Sequence, residues 1–372
     1  MKKRLLLIVP LPPPMHGSNL MNQHVTRCKA LFVKYDVKVI ALHYARTVSD
    51  IGSFRIQKFF LLLVYIIRLA RELRRFQPDL AYFVPMVTGT SFYRDCLFTA
   101  ILKLFKVQIV YHLHGKGIKE KLSSGLLFRL YHWFFKDTFI IHLSPLLSHD
   151  IHPVVDFNQC WFLPNGIDSS DSRGMKPSIM NTQPTFLCLA NLFLAKGILT
   201  LLETCQILAR EEQNFKVYFV GNPSSELSEV EFLRIIKAMG ISKWVEYLGP
   251  QYGKDKQNIF MNSDFFVFPS YNEAFPLVLL EAMAAGLPVV STSEGAIPEI
   301  VEQSKTGFIV EKQNASALAE KMEFLLTHSE QAKAMGMEGR KKFKKCYTIE
   351  QFHKNLLRIF DELFSIKNEK KK

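Results

Sequence analysis

Short apolar runs rich in branched and aromatic residues alternate with longer stretches whose apolar positions recur every three to four residues, along the whole chain. Leu5–Val9, Val37–Leu42, Leu80–Val84, Gln108–Leu113, Thr138–Leu143 and Cys160–Leu163 read as the strands of a first half. They are continuously apolar rather than alternating, as befits strands covered on both faces. Helical patterns such as Asn19–Phe32 and Phe92–Phe105 lie between them, a βαβ succession that implies a parallel sheet with right-handed crossovers. A polar stretch bearing Gly and Pro, from Asn165 to Pro177, breaks the pattern. It restarts with Thr185–Ala190, Phe215–Val220, Trp244–Leu248, Phe265–Phe268, Val289–Ser291 and Phe308–Val310 as strands. The expected organisation is a Rossmann-like domain over 1–165, a second over 166–347, and a closing helix over 348–372 that packs back on the first and ends in a basic tail. Open parallel sheets bind ligands beyond the carboxyl ends of their strands, so the crevice between two such halves is the expected site.

Composition narrows the class. With 372 residues, 48% apolar and 22% charged, the chain can build two packed domains, and general disorder is excluded. Six Cys without a C-x-x-C spacing exclude a disulfide framework or a Cys-type zinc site and point to a reducing compartment. The longest apolar run, Phe59–Ile67, is far short of the roughly 18 residues of a spanning helix. The start, Met1–Pro10, imitates a signal peptide, but its apolar part is short and Pro12-Pro13-Pro14 follows. It reads as a buried first strand, with the protein in the cytoplasm.

The formal net charge is +13, and its distribution is uneven. Residues 1–165 hold 22 Lys and Arg against 9 Asp and Glu, while the remainder is balanced. Such a field attracts an anionic membrane or a phosphorylated substrate, and the plainer reading is a basic, soluble surface. Nucleic acid is not expected, because zinc-finger spacing and RNA-binding aromatic signatures are both missing. The segment Ile51–Phe76 mixes Phe54, Phe59, Phe60, Val64, Ile66 and Ile67 with Arg55, Lys58, Arg68, Arg71, Arg74 and Arg75. It can be a helix covering one face of a sheet or one lying on an anionic bilayer, and different parts can do both.

The most informative stretch runs from Asp264 to Ser291 and parses as strand, loop, helix and strand. Pro276 suits a helix start and Gly286 the position after a helix end. From Leu277 to Ala285 the one polar residue is Glu281. A helix apolar on nearly all sides is buried, and a lone carboxylate there needs donors such as paired sugar hydroxyls. Glu273 lies in the loop before the helix, whose N-terminus offers free N–H groups suited to phosphate. One short segment thus supplies a carboxylate, a diphosphate seat and a second carboxylate, the layout of a nucleotide-sugar. The plainer reading makes Glu273 a cap and Glu281 a solvated edge residue.

This stretch closely resembles the family-4 retaining glycosyltransferases (glycosyl transferases group 1). Their mark is two Glu separated by seven residues, matched by Glu273 and Glu281, with Gly295–Val301 and Thr306–Val310 also fitting. The resemblance implies an α/β GT-B fold, two Rossmann-like domains facing across a deep cleft, with acceptor bound in the first and donor in the second. It gives Glu273 to the donor sugar and Glu281 to the ribose, and turns the backbone of Ala274, Phe275 and Leu277 toward the diphosphate. Pro276, lacking an N–H, contributes none. In Asn191–Gly197 the family has an Arg and, five residues on, a Lys that neutralise the diphosphate. Lys196 matches the Lys, whereas Asn191 replaces the Arg with a neutral amide. Gly17 is what remains of the family's Gly pair after the first strand. His114 resembles the family's sugar-contacting His, with His112 the alternative.

The resemblance implies a retaining, metal-independent hexosyltransferase without a cofactor, using a UDP- or GDP-linked donor. The sequence has no Asp-x-Asp. The basic first half predicts a saccharide acceptor that is lipid-linked, in surface polysaccharide or lipopolysaccharide synthesis, with peripheral contact to an anionic membrane. Two other classes fit the architecture. A sugar-nucleotide epimerase uses the same double fold, and a non-catalytic partner subunit would explain Asn191 and the reduced Gly loop.

Overall fold

The computed structural model describes residues 2–13, 16–44, 56–168 and 182–369. Most of the expected linker (169–177), the start of the apolar-basic segment (51–55, with Phe54 and Arg55), and the tail residues 370–372 lie outside the described residues. Contacts within the chain define two compact units, Met1–Asn165 with Glu350–Lys372, and Gly166–Ile349.

The elements of the first unit are β1 (Arg4–Pro10), α1 (Gly17–Arg27), α2 (Lys29–Lys34), β2 (Asp36–Leu42), α3 (Ile56–Phe76), β3 (Leu80–Phe83), α4 (Gly89–Leu104), β4 (Gln108–Leu113), α5 (Gly125–Phe135), β5 (Phe139–His142) and β6 (Cys160–Phe162). The second unit holds β7 (Thr185–Leu189), α6 (Ile198–Arg210), β8 (Lys216–Val220), α7 (Glu229–Ala238), β9 (Val245–Tyr247), α8 (Gly253–Met261), β10 (Phe265–Phe268), α9 (Leu277–Ala285), β11 (Val289–Thr292), α10 (Ile297–Ile300), β12 (Gly307–Val310), α11 (Ala315–Thr327) and α12 (Ser329–Cys346). The chain closes with α13 (Ile349–Glu369), nearly all of it in the first unit.

Each unit is a parallel six-stranded sheet, as the strand pattern predicts. The order in the first is β2-β1-β3-β4-β5-β6, and in the second β12-β11-β10-β7-β8-β9. The order reverses between β1 and β3 in one and between β7 and β10 in the other. At such a switch point the loops leaving adjacent strands part in opposite directions and open a crevice at the carboxyl ends. The expected helix over Asn19–Phe32 is instead two, α1 and α2, because Cys28 leaves the helical region (φ −68°, ψ 92°).

Burial explains the continuous apolar strands. Leu5 to Val9 of β1 are fully buried. On one face of this sheet Leu6, Ile8, Phe83 and Tyr111 pack with Leu69 and Leu73 of α3, Phe98 of α4 and Phe134 of α5. Tyr111 stacks on Phe134 with ring centroids 4.6 Å apart. Truncating such a ring costs about 3–5 kcal/mol. On the other face Tyr82 meets Phe360 of α13 edge to face at 5.7 Å. α13 is further tied to this unit by Asp361, which accepts hydrogen bonds from Lys34 and Tyr35, and by Glu362, which accepts one from the Trp161 indole.

Candidate active site in the second unit

The loops that leave β7 and β10 flank the switch point of the second sheet, and they carry Lys196 and Glu273. After β7 the chain makes one short turn over Leu194–Lys196 and enters α6 at Gly197. Gly197 has φ +73°, and a Cβ there would fall 2.0 Å from the carbonyl oxygen of Pro269. Only glycine allows this approach of the α6 start to the end of β10. The two loops are also stitched together: the Tyr271 N–H and the Ser270 hydroxyl both donate to the Ala195 carbonyl, at 3.0 and 3.1 Å.

The Lys196 ammonium is hydrogen-bonded and ion-paired to Glu273 Oε1, on which Ser270 Oγ also converges at 3.4 Å. The Glu273 side chain is 13% exposed and that of Lys196 26%, so each keeps a face open to a ligand. Gly295 fixes the Glu273 backbone from behind: with φ +54°, a Cβ there would lie 2.3 Å from the Glu273 carbonyl oxygen. The neighbouring Ala296 N–H donates to the Ala274 carbonyl at 2.9 Å. Ala274 and Phe275 thus lead rigidly into α9, which starts at Leu277 after Pro276. The first N–H groups of that helix have no intrahelical acceptor and carry the positive end of its dipole, which suits an anion.

Glu281 departs from the sequence-based expectation. It is 23% exposed rather than buried alone, and its Oε1 accepts a hydrogen bond of 2.6 Å from Lys256 of α8. The lysine compensates the carboxylate that the apolar helix pattern leaves unexplained. Nothing in the sequence around Glu281 reveals it, because Lys256 comes from another helix 25 residues earlier. Asn191 accepts, through Oδ1, the Asn222 N–H at 3.0 Å and its amide at 3.3 Å, and Asn222 in turn bonds the Tyr252 hydroxyl at 3.0 Å. The residue in the Arg position therefore ties the ends of β7 and β8 together.

In the first unit, Gly17 is the first residue of α1 rather than part of a turn, with His16 extended before it. His112 lies within β4, fully buried, its Nδ1 2.5 Å from the Tyr82 hydroxyl. His114 follows the last residue of β4, its ring centroid 4.2 Å from that of His112. A third histidine, His142 at the end of β5, was not singled out from sequence. Its Nδ1 accepts the Leu143 N–H at 2.9 Å, so Nε2 holds the proton of the neutral ring. Burial depresses all three. It pushes His114 down to about 3, with the charges of His142 and His16 adding to the effect, and His142 to about 4; His112 also lies well below its ordinary value. These imidazoles are neutral at pH 7 and offer hydrogen bonds rather than charge. Among the described residues no group of three or more His, Cys, Asp or Glu is placed to hold a metal ion.

Two parallel α/β units of this order define the GT-B class of glycosyltransferase fold. The likeness to solved structures extends over nearly the whole chain. A glycosyltransferase from Rickettsia africae ESF-5 superposes with a TM-score of 0.75 at 17% identity, covering 98% of this chain and 99% of that one. Anabaena Alr3699/HepE, solved in complex with UDP, gives 0.71 at 16%, covering 97% and 100%. Residues 175–342 match the family model of glycosyl transferases group 1. A D-inositol 3-phosphate glycosyltransferase of Corynebacterium diphtheriae is 31% identical over 134 residues, 36% of this chain and 31% of that protein. The capsular polysaccharide biosynthesis glycosyltransferase CapM of Staphylococcus aureus is 28% identical over 175 residues, 46% and 43%. The chain thus matches well under half the length of these curated relatives.

Proposed function

We propose that the protein is a glycosyltransferase that moves a hexosyl group from a UDP- or GDP-linked donor to a saccharide acceptor borne on a lipid, in surface polysaccharide or lipopolysaccharide synthesis. The observation that carries this reading is the pairing of Lys196 with Glu273 at the switch point, beside the N-terminus of α9, with Glu281 further along that helix. In this reading the α9 N-terminus and Lys196 seat the diphosphate, Glu281 takes the ribose hydroxyls, and Glu273 orients the sugar. The UDP bound by the Anabaena neighbour and the polysaccharide role in the name of the Staphylococcus relative support the donor and acceptor classes.

The reaction proceeds with retained configuration and without a metal or cofactor. The bond between the sugar C1 and the diphosphate oxygen breaks, and its electron pair stays on the phosphate. The acceptor hydroxyl attacks C1 from the same face, and its proton passes to the departing phosphate oxygen. Charge on that phosphate grows in the transition state, where Lys196 and the oriented N–H groups, already fixed by Gly197 and Gly295, stabilise it without reorganisation. Glu273 faces the cationic sugar centre and stabilises it rather than forming a bond. In the first unit a neutral His114 can donate a hydrogen bond but supplies no charge.

Release of nucleoside diphosphate from a panel of UDP- and GDP-hexoses, with and without a lipid-linked acceptor fraction, tests the reading. One donor should be consumed, and Glu273→Ala should abolish the release. Consumption unaffected by that substitution, or conversion of the sugar without any release, would replace the transferase by another activity.

A further inference from the structure

The helices α3, α4 and α5 cover one face of the first sheet, and their inner faces are accounted for: Tyr65, Leu69, Leu73, Phe92, Phe98, Leu102 and Phe134 all join one core. The outer faces are not polar. On α3, Leu63, Val64 and Ile67 are exposed, Ile67 at 67%. The spacing then carries the same stripe on to Arg68, Arg71, Arg74 and Arg75, also exposed. At about 100° per residue these seven positions fall within one sector of the helix surface, apolar in its first half and cationic in its second. On α4, Tyr93, Leu97 and Leu104 recur at helical spacing on the outside, Leu104 at 78%. On α5, Leu126 and Trp133 are exposed beside Arg129. The helices adjoin: the Arg74 guanidinium lies 5.9 Å from the Phe105 ring centre, and the Lys103 ammonium 5.2 Å from that of Trp133. The three helices contain two carboxylates, Glu72 and Asp95, and Asp95 is fully buried against Arg94.

We propose that this three-helix face docks the protein on an anionic lipid bilayer. Its apolar side chains enter the headgroup–acyl boundary, and the α3 arginines, with no opposing carboxylate exposed among them, meet the lipid phosphates. A layer of in-plane helices with apolar tips and flanking cations gains from both burial and surface potential. A second copy of the chain fits the face poorly, since self-pairing would set the arginines against one another or against bare apolar side chains. The inference deepens the reading of a lipid-borne acceptor, yet its test needs no sugar chemistry, so the two can fail separately.

The test is cosedimentation of the full chain with phosphatidylglycerol–phosphatidylcholine vesicles and with pure phosphatidylcholine vesicles, at low and high salt. The chain should pellet with the anionic vesicles, and more weakly at high salt. Arg71→Glu/Arg75→Glu should bind roughly 25-fold or more weakly. Val64→Ser/Ile67→Ser should remove the binding that survives high salt. Both variants should keep the wild-type melting temperature and nucleoside diphosphate affinity, because these side chains point outward. Failure to pellet with anionic vesicles, equal binding by the charge-reversed variant, or a concentration-dependent dimer abolished by Val64→Ser/Ile67→Ser would overturn the proposal.

Discussion

Lys256 Nζ lies 2.6 Å from Glu281 Oε1, joining α8 to the one carboxylate of the otherwise apolar α9. The pair is half-buried, so the lysine both compensates the acid and fixes its direction. Replacing Lys256 by Met leaves Glu281 without this cation. We expect about 1 kcal/mol of lost stability and a donor KM raised roughly tenfold, with kcat little changed, because the proposed contact to the ribose would be the same in ground and transition states. Steady-state kinetics over a range of donor concentrations, with thermal unfolding alongside, check this. A fall in kcat at unchanged KM would assign Lys256 to the chemical step instead.

Lys196 and Glu273 are ion-paired, and in the proposed reaction they act as a unit. Glu273→Gln and Lys196→Met should each lower kcat by roughly 10²–10³-fold, the size of effect seen when one preorganised transition-state contact is removed. The double variant should be scarcely worse than either single one. Strict additivity, measured as a double-mutant cycle on kcat/KM, would mean the two side chains serve separate steps.

The backbone behind the site is as demanding as its side chains. Gly295→Ala places a Cβ within 2.3 Å of the Glu273 carbonyl at a left-handed φ, and Gly197→Ala places one within 2.0 Å of the Pro269 carbonyl. Each should cost about 1–3 kcal/mol and weaken donor binding, because the loops holding Glu273 and Lys196 must shift. Gly240→Ala has a similar left-handed φ of +71° but open space around it. It should strain the backbone alone and leave donor affinity unchanged. Thermal unfolding and nucleotide titration of the three variants separate these effects.

Much of this was legible in the sequence. The six strands of each half, the helix from Leu277 to Ala285 and the loop containing Glu273 all follow from local patterns, since burial on both faces makes strands continuously apolar and Pro276 and Gly286 punctuate the helix. Lys256 and His142 were not legible, because each meets its partner through packing of distant segments and has no local spacing to announce it. The split of α1 from α2 at Cys28 was hidden because the apolar positions stay helical in spacing across the break. The Ile51–Phe76 segment presented two readings, core helix or membrane helix. Over its described part the structure gives a buried stripe through Tyr65, Leu69, Leu73 and Phe76 and an exposed one through Val64 and Ile67. One-dimensional hydropathy cannot divide two apolar stripes of a single helix between different surroundings.

The buried histidines predict an acid sensitivity of the fold. His112, His114 and His142 are held below their ordinary value, so between pH 6.5 and about 4 the unfolded chain binds more protons than the folded one. Stability therefore rises with pH across that window and falls as pH drops through it, by up to about 1.4 kcal/mol per pH unit for each histidine. Denaturant titrations from pH 7 to pH 4.5 should show this slope, and His142→Gln should flatten it. An unchanged slope in that variant would place the acid sensitivity in the carboxylates.

The central claim is that the second unit holds a nucleoside diphosphate between Lys196 and Glu281. Calorimetric titration of UDP and GDP into the wild-type protein and into Glu281→Ala tests it most directly. One nucleotide should bind the wild type at a single site, and at least tenfold more weakly the variant. Absence of binding by both nucleotides, or equal affinity in the variant, would contradict the account.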